Sequence, residues 1–278
     1  MPELITTSLR ERERALAECC PVMSRLIEAV GPCTWELRAD LPPFQTLARA
    51  IAHQQLNGVA AESIYSRFKA LYAPASFPEP EQLLATPEAT LRATGLSFAK
   101  IAALRDLASK VTSGIVPSTD ELHALESDAI VERLTQVRGI GRWTVEMLLM
   151  FQLGRPDILP VDDFGVCNGF RVAYGLKGMP RPRALAEFGA RWAPNRSLAS
   201  WYLWRAVELH RTKKLPKAGR PPRVALREKR VKAAVTARPA RRSAVRKGAA
   251  RQTVRRKPAR PAKRGVTGRR PGPSRRRR

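Results

Sequence analysis

Residues 134–151 read LTQVRGIGRWTVEMLLMF, and two glycines in this stretch, Gly139 and Gly141, flank the single residue Ile140. Glycine destabilises the interior of a helix, so a pair of glycines between two helical patterns predicts a tight turn. Such a turn lets the backbone approach a phosphate closely, and the helix that follows presents the positive end of its dipole. We therefore expect a helical hairpin at about 134–152 that holds a nucleic-acid backbone without reading its bases. An ordinary connection between two helices is the alternative.

Charge is distributed unevenly along the 278-residue chain, whose formal net charge is +27. Residues 213–278 hold 27 of the 51 Lys and Arg residues and a single acid, Glu228, whereas residues 1–212 are nearly neutral. The basic segment lacks aromatic residues and cannot bury enough surface to offset chain entropy, so we expect it to be disordered. A flexible polycation binds polyanions through counterion release, which predicts non-specific binding to nucleic acid. An anionic membrane surface and a plain solubility tail are the alternatives.

The cysteines and the hydropathy pattern limit the class of protein. Cys19, Cys20, Cys33 and Cys167 have no spacing typical of a zinc or iron–sulfur site, so we expect reduced thiols, no metal and no cofactor. No apolar signal segment begins the chain, and no run approaches the ~20 apolar residues of a membrane span. These features predict a cytoplasmic, nucleoid-associated protein, which we expect to be a monomer without a membrane partner.

Helical patterns follow one another through the first 212 residues. The stretch FQTLARAIAHQQL (44–56) is amphipathic and leads into a bend near Asn57, and Ser118 with Glu121 fits a capping box. No alternating pattern typical of a strand has useful length. The sequence therefore predicts a compact all-α domain of about ten short helices over 1–212, followed by the disordered basic tail over 213–278.

Four blocks of sequence occur in an order that resembles the helix-hairpin-helix–Gly/Pro/Asp superfamily of DNA glycosylases. They are RAIAHQQLNGVAAESIYSRF (49–68), LTQVRGIGRWTVEMLLMF (134–151), LPVDDFGV (159–166) and RWAPNRSLASWYLWR (191–205). The resemblance covers about residues 20–211 and is greatest to the 3-methyladenine DNA glycosylase II type. It implies an enzyme that flips an alkylated base out of double-stranded DNA and hydrolyses the bond between base and sugar. It implies no cofactor and no strand-cleaving lyase step.

The resemblance also implies roles for individual residues. Asp163, the last acid of the 159–166 block, matches the catalytic carboxylate that stabilises positive charge on the sugar; helix capping is the alternative. Trp143 and Trp204 match walls of the base pocket, and Met147 lies one helical turn after Trp143. Aromatic faces suit bases that carry a positive charge through alkylation.

The contacts with DNA are implied in the same way. Hairpin contacts with the DNA backbone are expected from Gly139, Ile140, Gly141, Arg142 and Thr144. The gap left by the flipped base is expected to be filled from the bend after residue 54, by Gln55, Leu56 or Asn57, and the sequence leaves these three open.

Two other functions compete with this interpretation. A bifunctional oxidised-base glycosylase with lyase activity needs an amine nucleophile, and relatives of that kind carry a lysine where this chain has Trp143. A non-catalytic hairpin protein that only binds DNA would gain nothing from the carboxylate of Asp163. The sequence also lacks the four-cysteine cluster of the iron–sulfur branch, and its first fifty residues predict helices rather than an extra sheet domain.

Overall fold

The computed structural model describes residues 9–37, 41–219 and 222–226, and within these ranges the protein is helical. The β-structure that the described residues contain is an isolated bridge between Pro180 and Leu226. The α-helices, with one 3-10 turn at Ala190–Trp192, are α1 (Leu9–Cys19), α2 (Pro21–Val30), α3 (Pro43–His53), α4 (Gly58–Ala70), α5 (Pro80–Ala85), α6 (Glu88–Ala93), α7 (Phe98–Thr112), α8 (Thr119–Ala124), α9 (Ser127–Leu134), α10 (Arg142–Phe151), α11 (Phe164–Ala173), α12 (Pro182–Gly189) and α13 (Arg196–Arg211). The all-α prediction is confirmed, and the described residues form thirteen α-helices where the sequence predicts about ten.

Local sequence sets where many of these helices begin. Proline occupies the first helical position of α2, α3, α5 and α12, where its missing N–H costs nothing. The side chains of Asn57, Ser97, Ser118 and Asp163 accept a hydrogen bond from the first turn of α4, α7, α8 and α11 respectively. The predicted capping box of Ser118 with Glu121 is present, and both of its hydrogen bonds form.

Two clusters of buried apolar side chains form the core. The first joins α3, α4, α7, α9 and α10, and its members include Leu47, Ile51, Phe68, Leu104, Leu107, Leu134 and Leu148. The second joins α1, α2, α11 and α13, and its members include Met23, Leu26, Phe170, Trp192, Trp201, Tyr202 and Leu203. The loop 152–163 connects α10, which packs in the first cluster, to α11, which packs in the second. Asp163 is the last residue of this loop, so side chains from both clusters can approach it.

Some described residues beyond 212, where the sequence placed the start of the disordered tail, pack against the helical body without forming a further helix. Leu215, Val224 and Leu226 are partly buried against the second cluster, and the backbone N–H of Arg181 donates to the carbonyl of Ala225 at 2.8 Å. The predicted domain boundary at residue 212 is too early because these apolar residues, although they stand among basic residues and prolines, pack against the second cluster. The rest of the predicted tail, residues 227–278, lies outside the described residues. Among the residues that are described, no helix is long and apolar enough to cross a membrane.

Candidate nucleic-acid interface and active site

The connection between α9 and α10 is the tight turn that the two glycines predict. Gly139 has a φ of +80°, a backbone conformation that favours glycine. Ile140 is buried in the first cluster, and its N–H donates to the carbonyl of Val137 at 3.0 Å, which closes the turn. Gly141 precedes α10 and offers no side chain that could cap the N–H groups at the start of that helix. Such a helix start is suited to bind an anion.

Two side chains from distant parts of the sequence hold this turn in place. Asp106 on α7 accepts a hydrogen bond from the backbone N–H of Arg138 at 2.7 Å, and Gln54 donates from Nε2 to the carbonyl of Gly139 at 2.8 Å. Burial tends to raise the pKa of Asp106, but the Arg138 N–H and the Lys110 ammonium hold it below its ordinary value. Asp106 therefore fixes the hairpin as an ionised carboxylate, a role with no local signal in the sequence.

The bend after α3 carries the three candidates for filling the gap. Gln55 has a φ of +57°, which is uncommon for a residue other than glycine, and its side chain is exposed. Leu56 is exposed as well. Asn57 caps α4, since its side-chain oxygen accepts from the N–H of Ala60 at 2.9 Å. Gln54 thus joins this bend to the hairpin, and of the three candidates Asn57 already has a structural task.

The Asp163 carboxylate is surrounded by hydrogen-bond donors. Its Oδ1 accepts from the backbone N–H of Val166 at 2.7 Å, which caps α11, and from Trp204 Nε1 at 2.8 Å. Its Oδ2 accepts from Trp143 Nε1 at 2.7 Å. Hydrogen bonds to an ionised acceptor are roughly twice as strong as neutral ones, so this arrangement stabilises the charged carboxylate. The preceding residue, Asp162, is exposed.

A cavity of about 830 Å³ opens beside Trp143, between α3 and α10. Trp143, which is 49% exposed, and Met147 both line it. Trp204 is not among the described residues that line this cavity; its ring stacks on Phe151 with the centroids 5.8 Å apart. The structure therefore brings Trp143 and Trp204 together at the carboxylate and gives only the first of them a place on the cavity wall.

Polar groups of α3 form the opposite wall of the cavity. Arg49 and His53 line it, and both approach Glu62 Oε2, at 2.9 Å for the guanidinium and 3.4 Å for the imidazole. Burial, together with the Arg49 guanidinium, lowers the pKa of His53 against the opposing effect of Glu62, so the imidazole is neutral at pH 7. Sequence reasoning missed this wall. The sequence feature that could have indicated this wall is the helical spacing of Thr46, Arg49 and His53 along the edge of an apolar face.

Glu146 is a second carboxyl group near Asp163 that sequence reasoning missed. It is buried on α10, and its Oε1 accepts from Arg142 Nε at 3.0 Å, which ties the exposed guanidinium beside the hairpin to the helix. Burial raises the pKa of Glu146; the Arg142 guanidinium opposes this, while Asp162 and Asp163 add to it. The signal in the sequence is one acid inside the otherwise apolar run VEMLLMF.

The Arg142 guanidinium is exposed at the start of α10, and Thr144, two residues further on, lies at the cavity wall. The predicted hairpin residues are therefore adjacent to the cavity rather than remote from it. Within the described ranges, no group of three or more His, Cys, Asp and Glu side chains could hold a metal ion.

Comparison with known proteins identifies the family. The family model described as HhH-GPD superfamily base excision DNA repair protein matches residues 48–195. DNA-3-methyladenine glycosylase 1 of Schizosaccharomyces pombe is 38% identical over 208 residues, which cover 74% of this chain and 91% of that protein.

Two solved structures are similar over most of the described residues. A 3-methyladenine DNA glycosylase of Schizosaccharomyces pombe in complex with abasic DNA superposes with a TM-score of 0.63 at 36% identity, covering 74% of this chain and all of that chain. A DNA-3-methyladenine glycosidase from Bacillus halodurans superposes with a TM-score of 0.66 at 33% identity, covering 73% of this chain and 91% of the other. The present chain belongs to the HhH-GPD superfamily of base excision DNA repair proteins.

Proposed function

We propose that this protein is a monofunctional DNA glycosylase of the 3-methyladenine glycosylase II type, which removes alkylated bases from double-stranded DNA by hydrolysing the bond between base and sugar. One observation carries the proposal. The Asp163 carboxylate is held at both oxygens by indole N–H groups, and one of those indoles, Trp143, forms a wall of a cavity large enough for a base.

The chemistry of base release explains why neutral donors suit this carboxylate. As the bond to the base breaks, the sugar acquires the character of an oxocarbenium ion, and a nearby negative charge stabilises it. An arginine or lysine side chain beside Asp163 would orient the carboxylate, but its positive charge would also offset the negative charge of Asp163. Indole N–H groups orient it and leave the negative charge available to the sugar and to an attacking water.

The cavity suits an alkylated base for a related reason. A purine alkylated at a ring nitrogen carries a positive charge, so it leaves readily and needs little help from a general acid. Trp143 offers such a base an aromatic face, where stacking and cation–π attraction both contribute. Arg49 on the opposite wall is paired with Glu62, and the negative charge of Glu62 offsets the positive charge that Arg49 would present to a cationic base.

The DNA would be held by groups that do not read sequence. The hairpin residues Gly139 to Arg142, with Thr144, would bind the phosphate backbone, and the exposed Gln55 and Leu56 are the better placed candidates for filling the gap. The basic segment that ends the chain would add affinity for any duplex through counterion release. A monomer associated with the nucleoid in the cytoplasm is consistent with this proposal.

The test is base release from a panel of damaged DNAs by the full-length protein. Substrates would be DNA treated with a methylating agent and duplexes with a single ethenoadenine, hypoxanthine or 8-oxoguanine. Each reaction is scored for strand breaks with and without alkali. We expect release of 3-methyladenine and strand breaks that appear only after alkali.

Each competing function predicts a different pattern in the same experiment. Strand breaks without alkali, with a preference for 8-oxoguanine, would show a lyase acting on oxidised bases. Tight binding to every duplex without release of any base would show a non-catalytic DNA-binding protein. Either pattern overturns the proposed function.

A further inference from the structure

We propose that Trp204 is a positioning residue for the Asp163 carboxylate, and that a glycine face on α11 makes room for its indole. The inference rests on the proposed function, because it concerns how the reacting carboxylate is held. It assigns Trp204 a different task from the pocket wall that the family resemblance implies.

The contacts of the two indoles at Asp163 differ. Trp143 bonds to Oδ2, is half exposed and lines the cavity, so a base in the cavity would touch it directly. Trp204 bonds to Oδ1 at 2.8 Å and is not among the described residues lining the cavity. Trp204 would therefore influence the reaction through its hydrogen bond to the Asp163 carboxylate.

Two glycines on α11 bring α13 close enough for this contact. Gly165 and Gly169 are four residues apart, so they lie on the same face of the helix. A Cβ added at Gly169 would lie 1.9 Å from the carbonyl oxygen of Leu203, which means that the two helix backbones touch there. Leu203 immediately precedes Trp204, so this close approach sets the position of the indole.

Gly165 leaves the space that the indole occupies. A Cβ added at this residue would lie 2.6 Å from Trp204 Cδ1 and 2.8 Å from its Nε1, closer than such atoms approach. The same Cβ would lie 3.1 Å from Asp163 Oδ1. Any side chain at position 165 would therefore displace the ring from the hydrogen bond to Asp163.

An aromatic stack fixes the ring from the other side. Trp204 stacks on Phe151 at an interplanar angle of 26°, and Phe151 in turn packs against Trp35 with the centroids 5.3 Å apart. The indole is thus confined between α11 and α10. In this position its N–H donates to Asp163 Oδ1.

The decisive variant is Trp204→Phe, which keeps an aromatic ring and removes the N–H. We expect the single-turnover rate of 3-methyladenine release from methylated DNA to fall by about 10- to 100-fold, the effect of losing one hydrogen bond to a charged group. Trp35→Phe is the matched control. Trp35 packs on the same Phe151, but its buried Nε1 has no hydrogen-bond partner among the described residues, so we expect less than a twofold change.

A binding measurement separates positioning from a role in the pocket wall. In the Asp163→Asn background, base release is blocked, and the preference for methylated over unmethylated duplex reports the pocket alone. We expect Trp204→Phe to leave this preference unchanged within about twofold. A loss of preference would show that Trp204 contacts the base and would overturn the inference.

The remaining outcomes are also decisive. If Trp204→Phe unfolds in a thermal scan, Gly165→Ala displaces the indole from the opposite side and should give the same loss of rate. A wild-type rate in the folded variant, equal to that of Trp35→Phe, overturns the inference and leaves the proposed function standing. A wild-type protein that releases no base from methylated DNA overturns the proposed function itself.

Discussion

Asp163 caps α11, and in the proposed function the same carboxylate stabilises the charge on the sugar. From the sequence, capping of α11 and catalysis stand as alternatives; in the structure Oδ1 accepts from the Val166 N–H, and Oδ2 accepts from Trp143 Nε1. The cap fixes the direction of the group, and the indoles fix its rotation. Capping is therefore part of how a flexible side chain becomes a preorganised one.

The neighbouring residues show what a sequence reveals at this scale and what it does not. Trp143 and Met147 line the cavity, and Trp143 donates to Asp163; their roles in catalysis and base binding stay predictions. The task of Trp204 depends on the absence of a side chain at Gly165, where the indole packs, and this property of helix packing has no signature in the spacing of residues. Asp106 reaches the hairpin from 32 residues away, so no local pattern could have indicated it.

The two hairpin glycines should respond differently to substitution. Gly139 has a positive φ and only ordinary contacts around an added Cβ, so Gly139→Ala should lower the free energy of unfolding by about 1–2 kcal/mol through backbone strain alone. Gly141→Ala meets open space at an ordinary φ and should change that free energy by less than about 0.5 kcal/mol.

Chemical denaturation measures both stabilities, and titration with undamaged duplex measures DNA binding. Both variants should bind DNA more weakly, because a methyl group at either position keeps a phosphate from the turn. Equal stability losses in the two variants would contradict the strain argument, and unchanged DNA binding in both would contradict the clamp.

Helix α10 joins every part of the site. It begins at the hairpin with Arg142, supplies Trp143 and Met147 to the cavity, and ends at Phe151 beneath Trp204. Its position could be predicted from the glycine pair before it and the apolar spacing within it. Its buried acid, Glu146, interrupts that spacing, and only the packed structure shows that the acid pairs with Arg142.

The titration of Glu146 gives this helix a characteristic dependence on pH. Because burial raises the pKa of Glu146 above its ordinary value, the folded protein binds more protons than the unfolded chain between those two values. The contribution of Glu146 to stability therefore falls as pH rises through that window. Glu146→Gln removes the titrating group and preserves its shape.

We expect the melting temperature of Glu146→Gln, minus that of the wild-type protein, to be near zero at pH 4 and to become more positive toward pH 7. Other titrating groups are common to both proteins and cancel in the difference. Thermal unfolding followed by circular dichroism across this range measures it. A difference that is constant, or that falls with rising pH, would contradict the buried position of the carboxyl group.

At the scale of the whole molecule, the chain combines a nearly neutral helical body with a strongly basic C-terminal segment. The charge count and the all-α class could be predicted from composition and periodicity. The end of the body could not, because Leu215, Val224 and Leu226 stand among basic residues and prolines whose composition is typical of disorder. Their burial depends on a surface formed by distant helices.

Truncation at two positions separates folding from DNA affinity. Removing the chain after Leu226 deletes 22 Lys and Arg residues and one acid, and should leave the free energy of unfolding within about 0.5 kcal/mol of the full-length value. Removing it after Arg211 also deletes the three packed apolar side chains, and should cost about 2 kcal/mol or more.

Denaturation and DNA titration at several salt concentrations measure the two effects. Both truncated proteins should show a shallower dependence of the binding constant on salt, because fewer phosphate contacts release counterions. Equal stability of the two truncated proteins would contradict the packing of Leu215, Val224 and Leu226. A salt dependence equal to that of the full-length protein would exclude the basic segment from DNA binding.

The most direct test of the central claim is single-turnover release of 3-methyladenine by Asp163→Asn, with Asp162→Asn as the control. An asparagine oxygen can still cap α11, so the fold should survive, but its amide turns a donor toward Trp143 and carries no charge for the sugar. We predict a loss of about 100-fold or more for Asp163→Asn and a rate near that of wild type for the exposed Asp162→Asn. A wild-type rate in a folded Asp163→Asn protein would contradict the account.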